Sequence, residues 1–208
     1  MKLKDMTVEV FTQTLASDAP APGGGSASAV AGAMGIALGQ MVAKLTLGKK
    51  KYIEFNDVNE KVIADAESII ADMVNGIDTD TEAFNLVTAA YAMPKDTDEA
   101  KAARSAAIQD ALKECARVPF ELILRCEKAL SVITPMLGKF NTNAASDLGV
   151  AALNLKSAAL GAWLNVLINV GSLKDTELAA KYKLDGQKAI DRICAMSDEI
   201  YNHVLGLM

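Results

Sequence analysis

Little in this sequence suits metal or redox chemistry. Histidine occurs once, at His203, and the three cysteines, Cys115, Cys126 and Cys194, contain no C-x-x-C pair. Zinc would need ligands improvised from scattered residues, so no metal is expected. An odd number of thiols without a spacing pattern argues against a disulfide framework and suits buried thiols in a reducing cytoplasm. Positive charge is also short. The net charge is −5 and no long basic tract is present, which argues against nucleic acid as a partner. Aromatic residues are only 5% of a chain that is 51% hydrophobic, so Ala, Leu, Met and Gly supply the apolar mass. Ala and Leu are strong helix formers, and a core rich in them is one of helices packed at close range.

No apolar signal core follows Met1 to Asp5, and a cytoplasmic protein is expected. One stretch raises a membrane question. Pro20 to Ala43 carries no charge, but it holds six glycines, two prolines and two serines among residues that are mostly alanine. Leu-rich membrane spans differ in composition, so the stretch reads as a loop feeding a buried helix, with no membrane role. The 208 residues fit one domain, 1–208.

Apolar periodicity predicts an all-α protein, an antiparallel bundle of long helices. Val8, Phe11 and Leu15 mark a short amphipathic helix near 7–17. After a loop from Asp18 to Gly25, a helix rich in small residues runs from about Ser26 to Leu47. A third spans about Asn56 to Asn75. Gly76 and the run Thr79-Asp80-Thr81-Glu82 follow. Thr79 and Glu82 have capping-box spacing, so either a new helix begins there and runs to about Ala92, or one bent helix continues unbroken. Thr97 caps the next, about Asp98 to Leu137, with Pro119 inside it. A loop from Gly138 to Asn143 leads to an apolar helix, about Ala144 to Val170, and Asp175 opens the last, about Thr176 to Leu205. No segment alternates with period two, so no strand is placed.

Three segments hold the candidate chemistry. Ala21-Pro22-Gly23-Gly24-Gly25-Ser26 precedes a helix, where unpaired N–H groups and the dipole favour an anion. An ordinary turn with Ser26 as N-cap is the plainer alternative, and the P-loop spacing is absent. Asp78, Asp80 and Glu82 set three carboxylates within five residues; they either favour a helix start or include an acid/base. Asn141 to Asp147 leads into the apolar helix with Asn165 and Asn169, which share one face and need partners there. Ser146 and Asp147 serve as caps or as site residues.

In this order the segments resemble a known family. Ala-Pro-Gly-Gly-Gly-Ser leads into Gly32-Ala33-Met34-Gly35-Ile36-Ala37-Leu38. Leu45-Thr46, Gly48-Lys49-Lys50-Lys51-Tyr52, Asp78-x-Asp80-x-x-Ala83-Phe84 and Met93-Pro94-Lys95 come next, then Val118-Pro119, Asn141, Ser146-Asp147 and Asn165-Val166-Leu167-Ile168-Asn169. The chain is similar over residues 6–200 to the cyclodeaminase domain of formiminotransferase-cyclodeaminase and its stand-alone relatives, some of which are methenyltetrahydrofolate cyclohydrolases. One departure is Phe140, where relatives often carry Gly; it bears on the loop path and on the role of Asn141.

The resemblance implies an all-helical homodimer acting on a tetrahydrofolate derivative, with no cofactor beyond that substrate. It matches Asp80 to the carboxylate proposed as proton donor. The reaction it implies first is 5-formiminotetrahydrofolate to 5,10-methenyltetrahydrofolate plus ammonia; the alternative is cyclohydrolase chemistry giving 10-formyltetrahydrofolate. A non-catalytic folate-binding or dimerisation module is the alternative from another class. Asp80 and Asp147 are the catalytic candidates. Gly23, Gly24, Gly25, Ser26, Asn141, Ser146, Asn165, Asn169 and Lys49 are the substrate-binding candidates; Lys49, Lys50 and Lys51 either attract a glutamate tail that can be polyglutamylated or form a solvated helix end whose charge suits the C-terminal dipole. Asp80 presents a tension: a helix N-terminus lowers an aspartate's pKa, whereas a proton donor needs it raised, by burial or by a second carboxylate such as Asp78 or Asp147.

Overall fold

The structure, a computed structural model, describes residues 1–208. Six α-helices make up the chain, and no strand is present: α1 (Val8–Leu15), α2 (Gly24–Thr46), α3 (Asn56–Tyr91), α4 (Asp98–Ile133), α5 (Ala145–Val170) and α6 (Thr176–Leu205). Short 3-10 turns precede α1 and α3, follow α4 and precede α5. Side chains cap three helices, two of them, at Thr97 and Asp175, where the sequence puts them. Thr7, Thr97 and Asp175 accept hydrogen bonds from the N–H groups of Val10, Ala100 and Leu178.

Of the two courses open at Thr79, the unbroken helix is the one found: α3 runs through Gly76 and the acidic run, and Thr79 donates to the Asn75 carbonyl one turn back. Two expectations are corrected. Ser26 is not the N-cap of α2. Gly23 holds that place, and Ser26 lies inside the first turn. In α1, Val8 is exposed and no residue is buried, so only Phe11 packs on the core and the helix is peripheral.

Helices α2, α3, α4 and α5 form a closed antiparallel ring, each packed on its neighbours, and α6 lies against α4 and α5. Ala29, Ile36, Ile69, Met73, Ile123, Leu130, Leu148 and Leu155 fill the centre. Small residues set the spacing of α2 and α5. A Cβ at Gly35 would stand 2.8 Å from Leu155 Cγ and 2.9 Å from the Ala151 carbonyl oxygen, so only glycine permits this approach. Both α2 and the α5 region are long and apolar enough to cross a bilayer, but each buries one face against neighbouring helices.

The ring helices differ in length, and that difference makes the site. At the end where α2 begins, α3 continues eleven residues past Asp80, about 16 Å at helical rise. Helix α4 returns along it. The α3–α4 pair therefore overhangs the N-terminus of α2 and the C-terminus of α5, and the glycine-rich loop folds into the step.

Candidate active site

A cavity of about 380 Å³ occupies that step, lined by Gly23, Gly24, Gly25, Asp80, Phe84, Cys115, Asn165 and Asn169, with Ile168 and Ser172 at its rim. The volume suits a small organic ligand. Asp80 projects from mid-α3 toward the first turn of α2, and its Oδ2 accepts a hydrogen bond from the Ser26 N–H at 3.0 Å. A Cβ on Gly25 would overlap the Asp80 carboxyl group, so glycine there is what lets the acid close on the helix.

Burial is the largest influence on Asp80 and raises its pKa above the ordinary carboxylate value; the Ser26 hydrogen bonds pull the other way and do not cancel it. This resolves the tension noted above. The helix N-terminus beside Asp80 belongs to α2, while Asp80 itself sits in the middle of α3. Ser26 serves both protonation states. Its N–H donates to the carboxylate. Its hydroxyl, which donates to the Ile77 carbonyl at 2.9 Å, lies 3.3 Å from Oδ2, within reach of a protonated acid. No second carboxylate of the same chain contributes to the shift. Asp78 points away, buried, accepting the Leu3 N–H at 2.7 Å and so tying down the N-terminus.

Asn165 and Asn169 line the same cavity, one helical turn apart. Asn165 Nδ2 donates to the Gly161 carbonyl, and Asn169 Nδ2 donates to the carbonyls of Asn165 and Cys115 at 2.8 and 2.7 Å. The Cys115 carbonyl is free because Pro119, four residues on in α4, has no N–H to donate. Pro119 and Asn169 are thus one device: a proline opens an acceptor and an asparagine from the facing helix fills it. Each side-chain amide has its N–H end engaged, and neither Oδ1 has a partner within the chain, leaving two acceptors at the cavity wall.

Cys115 was expected only as a buried thiol. Burial, then the Asp80 charge, pushes its thiol up to about 11, so it stays protonated and is no nucleophile at neutral pH. Phe84, on the exposed side of α3, supplies a flat apolar wall.

The other candidates lie elsewhere. Asn141 N–H donates to Thr46 Oγ1 at 2.8 Å and its Nδ2 to the Leu45 carbonyl, so it caps the far end of α2. Phe140 is buried in the core, and the loop turns at Gly138, whose φ is +73°. Ser146 and Asp147 sit in the first turn of α5 and cap nothing. Lys49 follows α2 directly. Twenty residues of α2 separate Ser26 from Thr46, about 30 Å. Asn141, Ser146, Asp147 and Lys49 therefore do not meet Asp80 within one chain. They lie toward the opposite end of the bundle, where the Tyr52 hydroxyl lies 3.2 Å from Thr142 Oγ1 and accepts the Thr142 N–H at 3.2 Å. Those bonds to Thr142, helped by Lys51, lower the phenol to about 8.

An all-helical bundle in which a largely buried aspartate of raised pKa sits between a glycine-rich helix start and two asparagines, at the wall of a small cavity, has the layout of a small-ligand site. Residues 7–188 match the family model described as formiminotransferase-cyclodeaminase. The chain is 40% identical over 198 residues to a methenyltetrahydrofolate cyclohydrolase of Methylorubrum extorquens, covering 95% of both chains. It is 30% identical to the formimidoyltransferase-cyclodeaminase of Gallus gallus over 95% of its own length, and spans 36% of that longer protein. A crystal structure of a formiminotetrahydrofolate cyclodeaminase from Thermotoga maritima matches 99% of this chain and 97% of its own, with a TM-score of 0.81 and 27% identity. The chain belongs to the formiminotransferase-cyclodeaminase family and is an enzyme of folate one-carbon chemistry.

Proposed function

We propose that the protein works at the 5,10-methenyl bridge of tetrahydrofolate, and that its reaction is the hydrolysis of 5,10-methenyltetrahydrofolate to 10-formyltetrahydrofolate. The buried Asp80 with its raised pKa carries this reading. Water adds to the methenyl carbon, giving a tetrahedral carbon that bears OH and both nitrogens. The bond to N5 then breaks, N5 takes a proton, and the hydroxyl loses its own as the N10-formyl carbonyl forms. A carboxyl group whose pKa burial raises, able to give a proton to the departing nitrogen and to regain one from water, is what both steps need. Its carboxylate form also faces the cationic substrate. The oxygens of Asn165 and Asn169 accept from the amino and amide N–H groups of the pterin.

Hydrolysis is placed ahead of the deaminase reaction because the 40% identity to a cyclohydrolase covers nearly all of both chains. The deaminase is the second reading, favoured by the solved cyclodeaminase of the same fold and length. There N10 attacks the formimino carbon and the acid protonates the leaving amino group, so the tetrahedral intermediates differ only in OH against NH2. Assaying loss of methenyltetrahydrofolate beside ammonia release from formiminotetrahydrofolate decides between them. Activity on neither would support the non-catalytic alternative.

The complete site, in this reading, is shared by two subunits. Met34, Met41 and Leu45 of α2 are exposed, and so are Val150, Leu153, Ser157, Leu160, Leu164 and Leu167 of α5, spaced in alternating steps of three and four. Such a stripe is a helix-packing seam without a partner. Leu164 and Ile168, 68% and 73% exposed, carry it to the rim of the Asp80 cavity. A two-fold axis across this seam sets the α2 helices antiparallel, so the Gly24 end of one faces the Asn141 end of the other. Asp147, Asn141 and Lys49 of the partner subunit then approach Asp80, which joins the two halves that one chain holds about 30 Å apart.

A further inference from the structure

The α3–α4 overhang holds a second cavity, of about 370 Å³, that the chemistry at Asp80 does not use. Lys95, Lys101, Arg104, Gln109 and Lys174 form its walls. Lys101 is matched by a carboxylate, Asp98 at 2.9 Å. The other three cations form no ion pair. Arg104 donates to the Tyr91 carbonyl at 3.1 and 3.3 Å and lies over the Tyr91 ring, and Lys174 Nζ donates to Ser105 Oγ at 2.9 Å. These contacts orient the cations and leave their charge intact. A protein of net charge −5 thus gathers three uncompensated cations around one hollow.

The hollow adjoins the Asp80 cavity. Gln109 donates to the Ser172 carbonyl at 3.3 Å and accepts the Lys174 N–H at 2.8 Å, and Ser172 also borders the Asp80 cavity. The α5–α6 turn is the common wall. Along α4, Cys115 in the first cavity and Ser105 in the second are ten residues apart, about 15 Å. A folate separates its reacting nitrogens from its carboxylates by a benzoyl ring and an amide, a span of the same order.

Resting on the folate reading above, we propose that this basic hollow is the subsite for the glutamyl carboxylates of the substrate. Each further γ-linked glutamate adds one carboxylate, and Lys95, Arg104 and Lys174 offer three charges to receive them. Lys49, Lys50 and Lys51, first expected in this role, lie at the opposite end of α2 in the same chain.

The test uses p-aminobenzoyl-triglutamate, which has the tail and no pterin, titrated calorimetrically into the intact protein. Lys95→Gln/Lys174→Gln should weaken its binding about tenfold, and p-aminobenzoyl-monoglutamate much less. The difference should shrink in high salt. Arg104→Lys, which keeps the charge, controls for loss of the Tyr91 contact, and melting temperatures confirm folding. Unchanged triglutamate affinity in the folded double variant overturns the subsite, as does a loss confined to Lys49→Gln/Lys50→Gln/Lys51→Gln. Failure of the folate reading would show separately, as wild-type protein that turns over neither methenyl- nor formiminotetrahydrofolate.

Discussion

Gly25→Ala is the smallest change that separates the acid from its setting. A Cβ at this position overlaps the Asp80 carboxyl group, so Asp80 must swing away or the first turn of α2 must shift. Either movement breaks the Ser26 N–H bond to Oδ2, a bond to a charged group worth about 1.5–3 kcal/mol. Overpacking adds a cost of about 1–3 kcal/mol. Replacing glycine by alanine near a helix start returns at most about 1 kcal/mol. The net loss of stability is therefore about 1.5–6 kcal/mol if the contact is held, and less if Asp80 rotates into the cavity. Rotation is the easier route, and it removes the acid from its place. A positioned acid contributes about 10²–10⁴-fold, so kcat should fall by about that factor while the protein stays folded. Thermal melting alongside steady-state turnover of methenyltetrahydrofolate checks this. A folded Gly25→Ala protein with turnover near wild type would refute the placement of Asp80 against α2.

Further outcomes follow from the same geometry. Asn169→Ala should cost about 1–3 kcal/mol by stranding the Cys115 carbonyl, and Pro119→Ala should restore part of that loss by supplying the missing N–H; independent effects in a double-mutant cycle would dismiss the pairing. The raised pKa of Asp80 means that the folded state holds its proton more tightly than the unfolded chain. Stability should then decline as pH rises from the ordinary carboxylate range through the folded pKa, and denaturant titrations should find Asp80→Asn free of that decline. Two inactive proteins, Asp80→Asn and Asp147→Asn, refolded together should recover about a quarter of wild-type activity, since half the dimers would be mixed and each would carry one intact site. No recovery would place the whole site within one chain.

The helices were legible because their apolar periodicity and caps are local. Thr97, Asp175 and the small residues of α2 act over a few residues of chain. The acidic run at Asp78 to Glu82 left two courses open for the same reason: capping-box spacing is a local signal, and the core packing of Met73 and Ile77 along a continuous α3 is not. The candidate site was half legible. Gly23 to Ser26, Asp80, Asn165 and Asn169 do meet. Asp147 precedes Asn165 on α5 and Asn141 lies in the loop before it, and nothing in their order says that the length of α5 sets them at the other end of the bundle. Cys115 was missed because a lone thiol has no pattern; its signal was Pro119, which frees the carbonyl four residues earlier. The basic hollow draws on Lys95, Arg104 and Lys174, which only the fold brings together.

The central claim is that Asp80 is the acid of a reaction at the methenyl bridge. The most direct measurement is the turnover of 5,10-methenyltetrahydrofolate by wild type and by Asp80→Asn, with folate affinity and melting temperature taken on both proteins. The account predicts a wild type that consumes the substrate, and a folded, folate-binding variant slower by about 10²–10⁴-fold. A folded Asp80→Asn protein that turns over at the wild-type rate would contradict it.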